Sequence, residues 1–307
     1  MQLILQFAGA VSHRRGCASM LGAKKVAQLT GCIYQCIVCR FNCKSQWVAS
    51  SIAINMIYSM AFITLMIITL TSARTDDWAT YMHDVARTGI TLEQLELPLS
   101  EQWVFISKHP PQPAWEPPKP APIEGILEVN RLCFDDAYQV AVVGEWVYFG
   151  SSADSKVYCL NASTGEVRWT FFTGGPVRFA PTVWRGRVFV GSDDGYVYCL
   201  RATDGKLLWK FKAAPSDEKV LGNGKMISLW PVRTGVLVYD GIAYFGAGIF
   251  PSEGVYLYAV RAKDGKLIWK NDSWGYSLSG WRSRSPQGYL LAAANRLFVP
   301  CGRALPA

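Results

Sequence analysis

Four groups of residues carry side chains and spacings from which chemistry could be built. Asp193-Asp194 is the conspicuous carboxylate pair, of the type that could supply a base or hold a cation. Its place between two apolar runs, followed by Gly195, reads as a turn. His83 beside Asp84 could be a metal ligand or a base. The chain holds three histidines, none at ligand spacing from another, so a capping or surface role is expected. Cys32-x3-Cys36-x2-Cys39 has the spacing of a three-thiolate iron–sulfur site, and with Cys43 these cysteines share one face if helical. The fourth group is Arg178 with Lys225, Trp230 and Arg233. Trp and Arg are the residue types that most often supply binding energy at interfaces, which makes these four the candidate ligand or partner contacts.

The elements that must position them are repeats. Val157-Tyr-Cys-Leu-Asn-Ala-Ser-Thr-Gly-Glu-Val-Arg-Trp169 recurs as Val197 to Trp209 and again as Leu257 to Trp269. Gly165, Gly205 and Gly265, like Trp169, Trp209 and Trp269, fall 40 and then 60 residues apart, one period followed by a period with a 20-residue insertion. An apolar run, a Thr-Gly or Asp-Gly pair and a second run ending in Trp is strand, tight turn, strand. Upstream, Pro181-Thr-Val-Trp, a turn at Arg185-Gly186, and Arg187-Val-Phe-Val-Gly-Ser192 add another pair of strands. Four short strands in about forty residues are the dimensions of one β-propeller blade. Trp146-Val-Tyr-Phe, Val188-Phe-Val and Ile242-Ala-Tyr-Phe are apolar without alternation, as required of strands covered on both faces.

The Ala-x-x-Gly-x-x-x-Trp signature at Ala162–Trp169, Ala202–Trp209 and Ala262–Trp269 resembles the tryptophan-docking repeat of pyrroloquinoline-quinone-type propellers. That family includes quinoprotein alcohol dehydrogenases and the propeller lipoprotein of the outer-membrane β-barrel assembly machinery. The resemblance spans residues 78–307. It implies an all-β fold of four-stranded antiparallel blades, with three full blades and part of another present from an eight-bladed ring. Trp169, Trp209, Trp269, Gly165, Gly205 and Gly265 are then structural docking residues, and Trp103 is the docking tryptophan of a strand that closes the ring. The catalytic members use an Asp base, a calcium and, in many, adjacent cysteines over the quinone. No Cys-Cys pair occurs here. Cys159 and Cys199 occupy equivalent points of adjacent blades and read as buried packing, too far apart for a disulfide.

Residues 1–73 hold six Lys/Arg and no Asp/Glu, leaving 25 against 23 for the remainder, so six of the net +8 belong to the leader and the near-neutral remainder gives no reason to expect nucleic acid. Residues 1–51 read as a basic leader without a folded role; acylation of its cysteines is a weaker alternative, and a cluster weaker still. Residues 52–71 are twenty residues without a charge, long enough to cross a bilayer as a helix. The basic flank before it and Asp76-Asp77 after it place the propeller outside the cytoplasm, with 52–73 an anchor or a cleaved signal. Residues 74–135 are a lead-in, the closing strand and a Pro-rich loop. Seven of the thirteen residues from Pro110 to Pro122 are proline, a composition that favours polyproline II over a sheet ladder. Residues 136–307 are the repeats. The insertion from Phe211 to Gly235 is expected near the channel mouth, where inserted loops on a rigid scaffold gather function. These features together describe an exported or membrane-anchored, non-catalytic scaffold for protein or cell-envelope partners, with no metal and no cofactor. The alternative is a remnant of a quinone-dependent oxidoreductase with pyrroloquinoline quinone and calcium.

Overall fold

The computed structural model of the protein describes residues 17–21, 76–95, 97–115, 121–123, 126–128, 137–274 and 284–301. The expected hydrophobic helix at 52–71 and the four leader cysteines lie outside these residues. Among the described residues no helix is long and apolar enough to cross a membrane. The leader, expected to have no folded role, contributes one strand, β1 (Cys17–Leu21), antiparallel to β2 (Glu101–Ile106). A short hairpin follows, β3 (Ala121–Ile123) with β4 (Ile126–Glu128). Here the Pro-rich segment does join a ladder, contrary to its composition. Ile123 and Ile126 close a two-residue turn, so the next pair, Pro122 and Leu127, falls at a position where no backbone N–H is required.

Three four-stranded antiparallel sheets then succeed one another in the described chain. Blade I is β5 (Val140–Val143), β6 (Trp146–Ser151), β7 (Lys156–Asn161) and β8 (Val167–Phe172). Blade II is β9 (Thr182–Trp184), β10 (Arg187–Gly191), β11 (Tyr196–Arg201) and β12 (Leu207–Lys212). The insertion supplies a hairpin, β13 (Lys219–Gly222) and β14 (Lys225–Ser228), then β15 (Thr234–Gly235). Blade III is β16 (Leu237–Tyr239), β17 (Ile242–Ala247), β18 (Tyr256–Arg261) and β19 (Leu267–Asn271). Beyond it β20 (Gly288–Tyr289) runs parallel to β15, and β21 (Leu291–Ala293) pairs with β22 (Arg296–Phe298) as the first half of a fourth blade.

The core lies between blades. Ala141, Tyr148 and Val157 of blade I meet Val183, Val188 and Tyr198 of blade II. Phe189, Val197 and Cys199 of blade II meet Val238, Phe245 and Tyr258 of blade III. Tyr148, Phe149, Phe189 and Phe245 are fully buried, each worth roughly 1.5–3 kcal/mol in water-removed surface. Cys159 and Cys199 are buried and free, and burial pushes their thiols up to about 12 and about 11.

Each docking tryptophan bridges to the next blade. The Trp169 indole N–H donates to the Ala202 carbonyl (3.0 Å) and that of Trp209 to Ala262 (3.1 Å). Trp103 on β2 does the same to Ala162 (2.9 Å). The ring of Trp169 lies so close to Gly205 that a Cβ there would fall 2.6 Å from it, and Gly205 has φ +71°, so glycine is required twice over. Gly165 and Gly265 receive Trp103 and Trp209 in the same way. Trp169 is buried and Trp209 half-buried, but Trp269, expected to be buried like them, is 38% exposed and rests against Tyr244. Trp103, Trp169 and Trp209 are each received by a turn glycine of the following unit, and among the described residues no such turn follows Trp269.

Candidate interface at the strap and hairpin

The long insertion is shaped by its own sequence. Asn223 and Gly224 both take positive φ (45° and 77°), the two-residue turn that Asn-Gly favours, and they set Leu221 opposite Met226. Ser228 N–H donates to the Asp193 carbonyl (2.8 Å), which fastens the hairpin to blade II, and the Leu229 N–H donates to the Glu218 carbonyl (2.9 Å), which closes the base of the hairpin.

A strap of chain, Pro111 to Trp115, crosses to this hairpin. Gln112 N–H donates to Ser152 Oγ of blade I (2.8 Å), and its side-chain amide donates to the Asn223 carbonyl (2.8 Å). Asn223 Nδ2 returns a bond to the Pro113 carbonyl (2.8 Å). The Lys225 ammonium donates to the carbonyls of Ser152 (2.7 Å) and Ala153. Burial, and Arg178 nearby, hold that ammonium below the usual lysine range, with Asp154 and Asp193 opposing. Ala114 is buried, and its carbonyl lies against Gly222. Two of the five strap residues are prolines without an N–H to donate, and side chains of the hairpin and of the β8–β9 connection reach the strap carbonyls instead.

Between strap and blades sits a buried ion cluster. Asp193 Oδ2 accepts from Arg178 Nε (2.7 Å) and Arg233 Nη2 (3.1 Å), while Oδ1 faces Arg233 Nε at 2.8 Å. Arg178 Nη1 donates to the Gln112 carbonyl (2.6 Å), linking the cluster to the strap. The side chains of Asp193 and Arg178 are 1% and 3% exposed, so this is a desolvated pair with a second guanidinium attached. Such a carboxylate stabilises by neutralising two buried cations and is poorly placed to act as a base.

The four side chains expected to meet a ligand are thereby accounted for within the protein. Arg178 and Arg233 are buried on Asp193, and Lys225 is bonded to blade I. Trp230 is buried with its indole N–H on the Glu253 carbonyl (2.7 Å). Charged and aromatic residues that satisfy no repeat position here fasten the insertion to the blades and the strap. What the insertion leaves outside is Leu221 (67% exposed) and its cross-strand partner Met226 (56%). Next along the strap, Trp115 packs edge-on to Phe250 at 6.2 Å, both exposed.

Asp193 and Asp194, read together as a turn, divide the work. Asp194 makes the turn, accepting from Tyr196 N–H (3.0 Å), Gly174 N–H (2.8 Å) and the Tyr198 hydroxyl (2.5 Å), whereas Asp193 is the ion-cluster centre. A cleft of about 340 Å³ opens beside Asp194 between Tyr196, Lys210 and Lys219. His83 stands edge-on to Trp78, and Asp84 accepts from Thr88 N–H (3.0 Å) and hydroxyl (2.5 Å), a capping arrangement. Both Asp193 oxygens are engaged by guanidinium groups, and among the described residues no three His, Cys, Asp or Glu gather as a metal site.

A family model described as outer membrane protein assembly factor BamB matches residues 134–299. A comparison with curated proteins finds no match. Among solved structures, the quinohemoprotein alcohol dehydrogenase of Comamonas testosteroni is similar over 77% of this chain and 37% of its own, at 19% identity and a TM-score of 0.53. BamB of Moraxella catarrhalis is similar over 52% of this chain and 44% of its own, at 16% identity and a TM-score of 0.40. The chain therefore spans less than half the length of these structures. The first likeness shows the fold.

Proposed function

As the chain belongs to the family of the outer membrane protein assembly factor BamB, we propose that it is a non-catalytic, exported or membrane-anchored propeller scaffold that binds a protein partner of the cell envelope. The contact face in this reading is the strap, the β13–β14 hairpin and Phe250. The observation that carries it is the contrast on one small region: polar side chains bonded inward, and Leu221, Met226, Trp115 and Phe250 left exposed on a backbone already fixed. A fixed backbone lowers the ordering cost of binding, and large apolar side chains provide the anchors. The extracytoplasmic placement rests on the uncharged run 52–71 and its basic flank. The quinone-dependent alternative has fold likeness alone in its favour.

The test is a crosslinking pull-down from an envelope fraction with Leu221→Ser plus Met226→Ser. Partner recovery should fall at least about tenfold, equivalent to about 1.4 kcal/mol, with the melting curve unchanged because both side chains are solvent-facing. Trp230→Ala with Arg233→Ala should instead lower the melt. Undiminished recovery in the Leu221/Met226 variant would remove the hairpin from the interface.

A further inference from the structure

The lead-in Asp77–Arg87 touches the first strand of three blades at equivalent points. In β5, β9 and β21 the last residue before the turn, Val143, Trp184 and Ala293, pairs across the hairpin with Trp146, Arg187 and Arg296. The residue before it in each, Val142, Val183 and Ala292, turns its N–H away from its own hairpin. Each of these three amides is met by the lead-in: Val142 N–H donates to Trp78 O (2.8 Å), Val183 to Ala79 O (2.7 Å) and Ala292 to Val85 O (2.8 Å). Side chains repeat the pattern. Asp77 Oδ1 accepts from the Gly144 N–H (2.8 Å), Thr80 and Thr182 share a buried hydroxyl pair at 2.9 Å, and Arg87 Nε donates to the Leu290 carbonyl (3.0 Å). Arg87 Nη1 closes the segment on itself through Thr80 Oγ1 and Tyr81 O, both 2.7 Å. Tyr81 stacks on Tyr289 at 3.8 Å, and the Tyr289 hydroxyl meets Ala180 N–H of the β8–β9 connection and the Gln139 side chain just before β5.

We infer that Asp77–Arg87 is a hub that couples the first strands of blades I, II and IV, so that these open as one unit. Repeat arrays in which each unit touches its neighbours alone unfold progressively from their ends. With nearest-neighbour contacts alone, blades that are not adjacent would open independently. A segment bonded to three blades removes that independence, because releasing it exposes an edge amide in each.

Hydrogen exchange on the full chain tests this. In Arg87→Ala the amides of Val142, Val183 and Ala292 should accelerate together, each by about tenfold or more, while amides in the β11–β12 ladder of blade II keep their protection. Thr80→Val, which retains shape and removes one hydroxyl, should move the same three amides by a smaller common factor. Acceleration confined to Ala292, the amide nearest Arg87 in the fold, would overturn the hub. So would equal acceleration across all ladders in the Thr80→Val protein, or none in either variant.

Discussion

Asp193→Ala should lower stability by about 3–5 kcal/mol, the range for leaving a buried charge without its partner. The carboxylate faces Arg178 at 2.7 Å and Arg233 at 2.8 Å, and removing it takes a shared ion-pair partner from two buried guanidinium groups. Arg178 would retain the Gln112 carbonyl, so the loss comes chiefly from the lost attraction between opposite charges rather than from absent hydrogen bonds. For a protein of this size each kcal/mol displaces the melting temperature by roughly 2–4 °C. Chemical denaturation provides the check, and a double-substitution cycle sharpens it. Asp193→Ala combined with Arg233→Met should cost less than the two single changes summed, because the second removes a cation that the first stranded. An Asp193→Ala protein with the wild-type midpoint would show that the cluster contributes nothing to the fold.

Trp209→Ala should cost about 3–5 kcal/mol, the range for deleting a large packed aromatic, and Trp269→Ala should cost under about 1. Both close the same repeat signature. Trp209 is bonded to Ala262 and its ring fills the space over Gly265, whereas Trp269 is 38% exposed against Tyr244. Denaturation midpoints of the two variants in parallel provide the measurement. Equal losses would mean that docking onto the next blade is not what these tryptophans supply.

This contrast also marks where sequence and structure part. The blades were legible because their determinants are local and periodic: an Asp-Gly or Thr-Gly turn, a nonalternating second strand, and a Trp at a fixed offset from a Gly. Trp269 differs in exposure from Trp169 because a docking tryptophan is completed by a turn in the following unit, and among the described residues no such turn follows Trp269. The strap and ion cluster were not legible. Gln112 meets Asn223 across 111 residues and Arg233 meets Asp193 across 40, and nothing periodic announces either. Asp193 was masked by its neighbour, since an Asp-Asp-Gly run reads as a turn even when one carboxylate alone makes it. The same long-range bonds turned Arg178, Lys225, Trp230 and Arg233 inward and left the less conspicuous Leu221 and Met226 outside.

That the blades form a scaffold rather than a redox centre is tested most directly by incubating the purified full chain with pyrroloquinoline quinone and calcium and following quinone absorbance through gel filtration. With Asp193 held by two guanidinium groups, the quinone should elute apart from the protein at every calcium concentration. Stoichiometric co-elution that depends on calcium would contradict the account and identify the chain as a relative of the quinone-binding dehydrogenases in function as well as in fold.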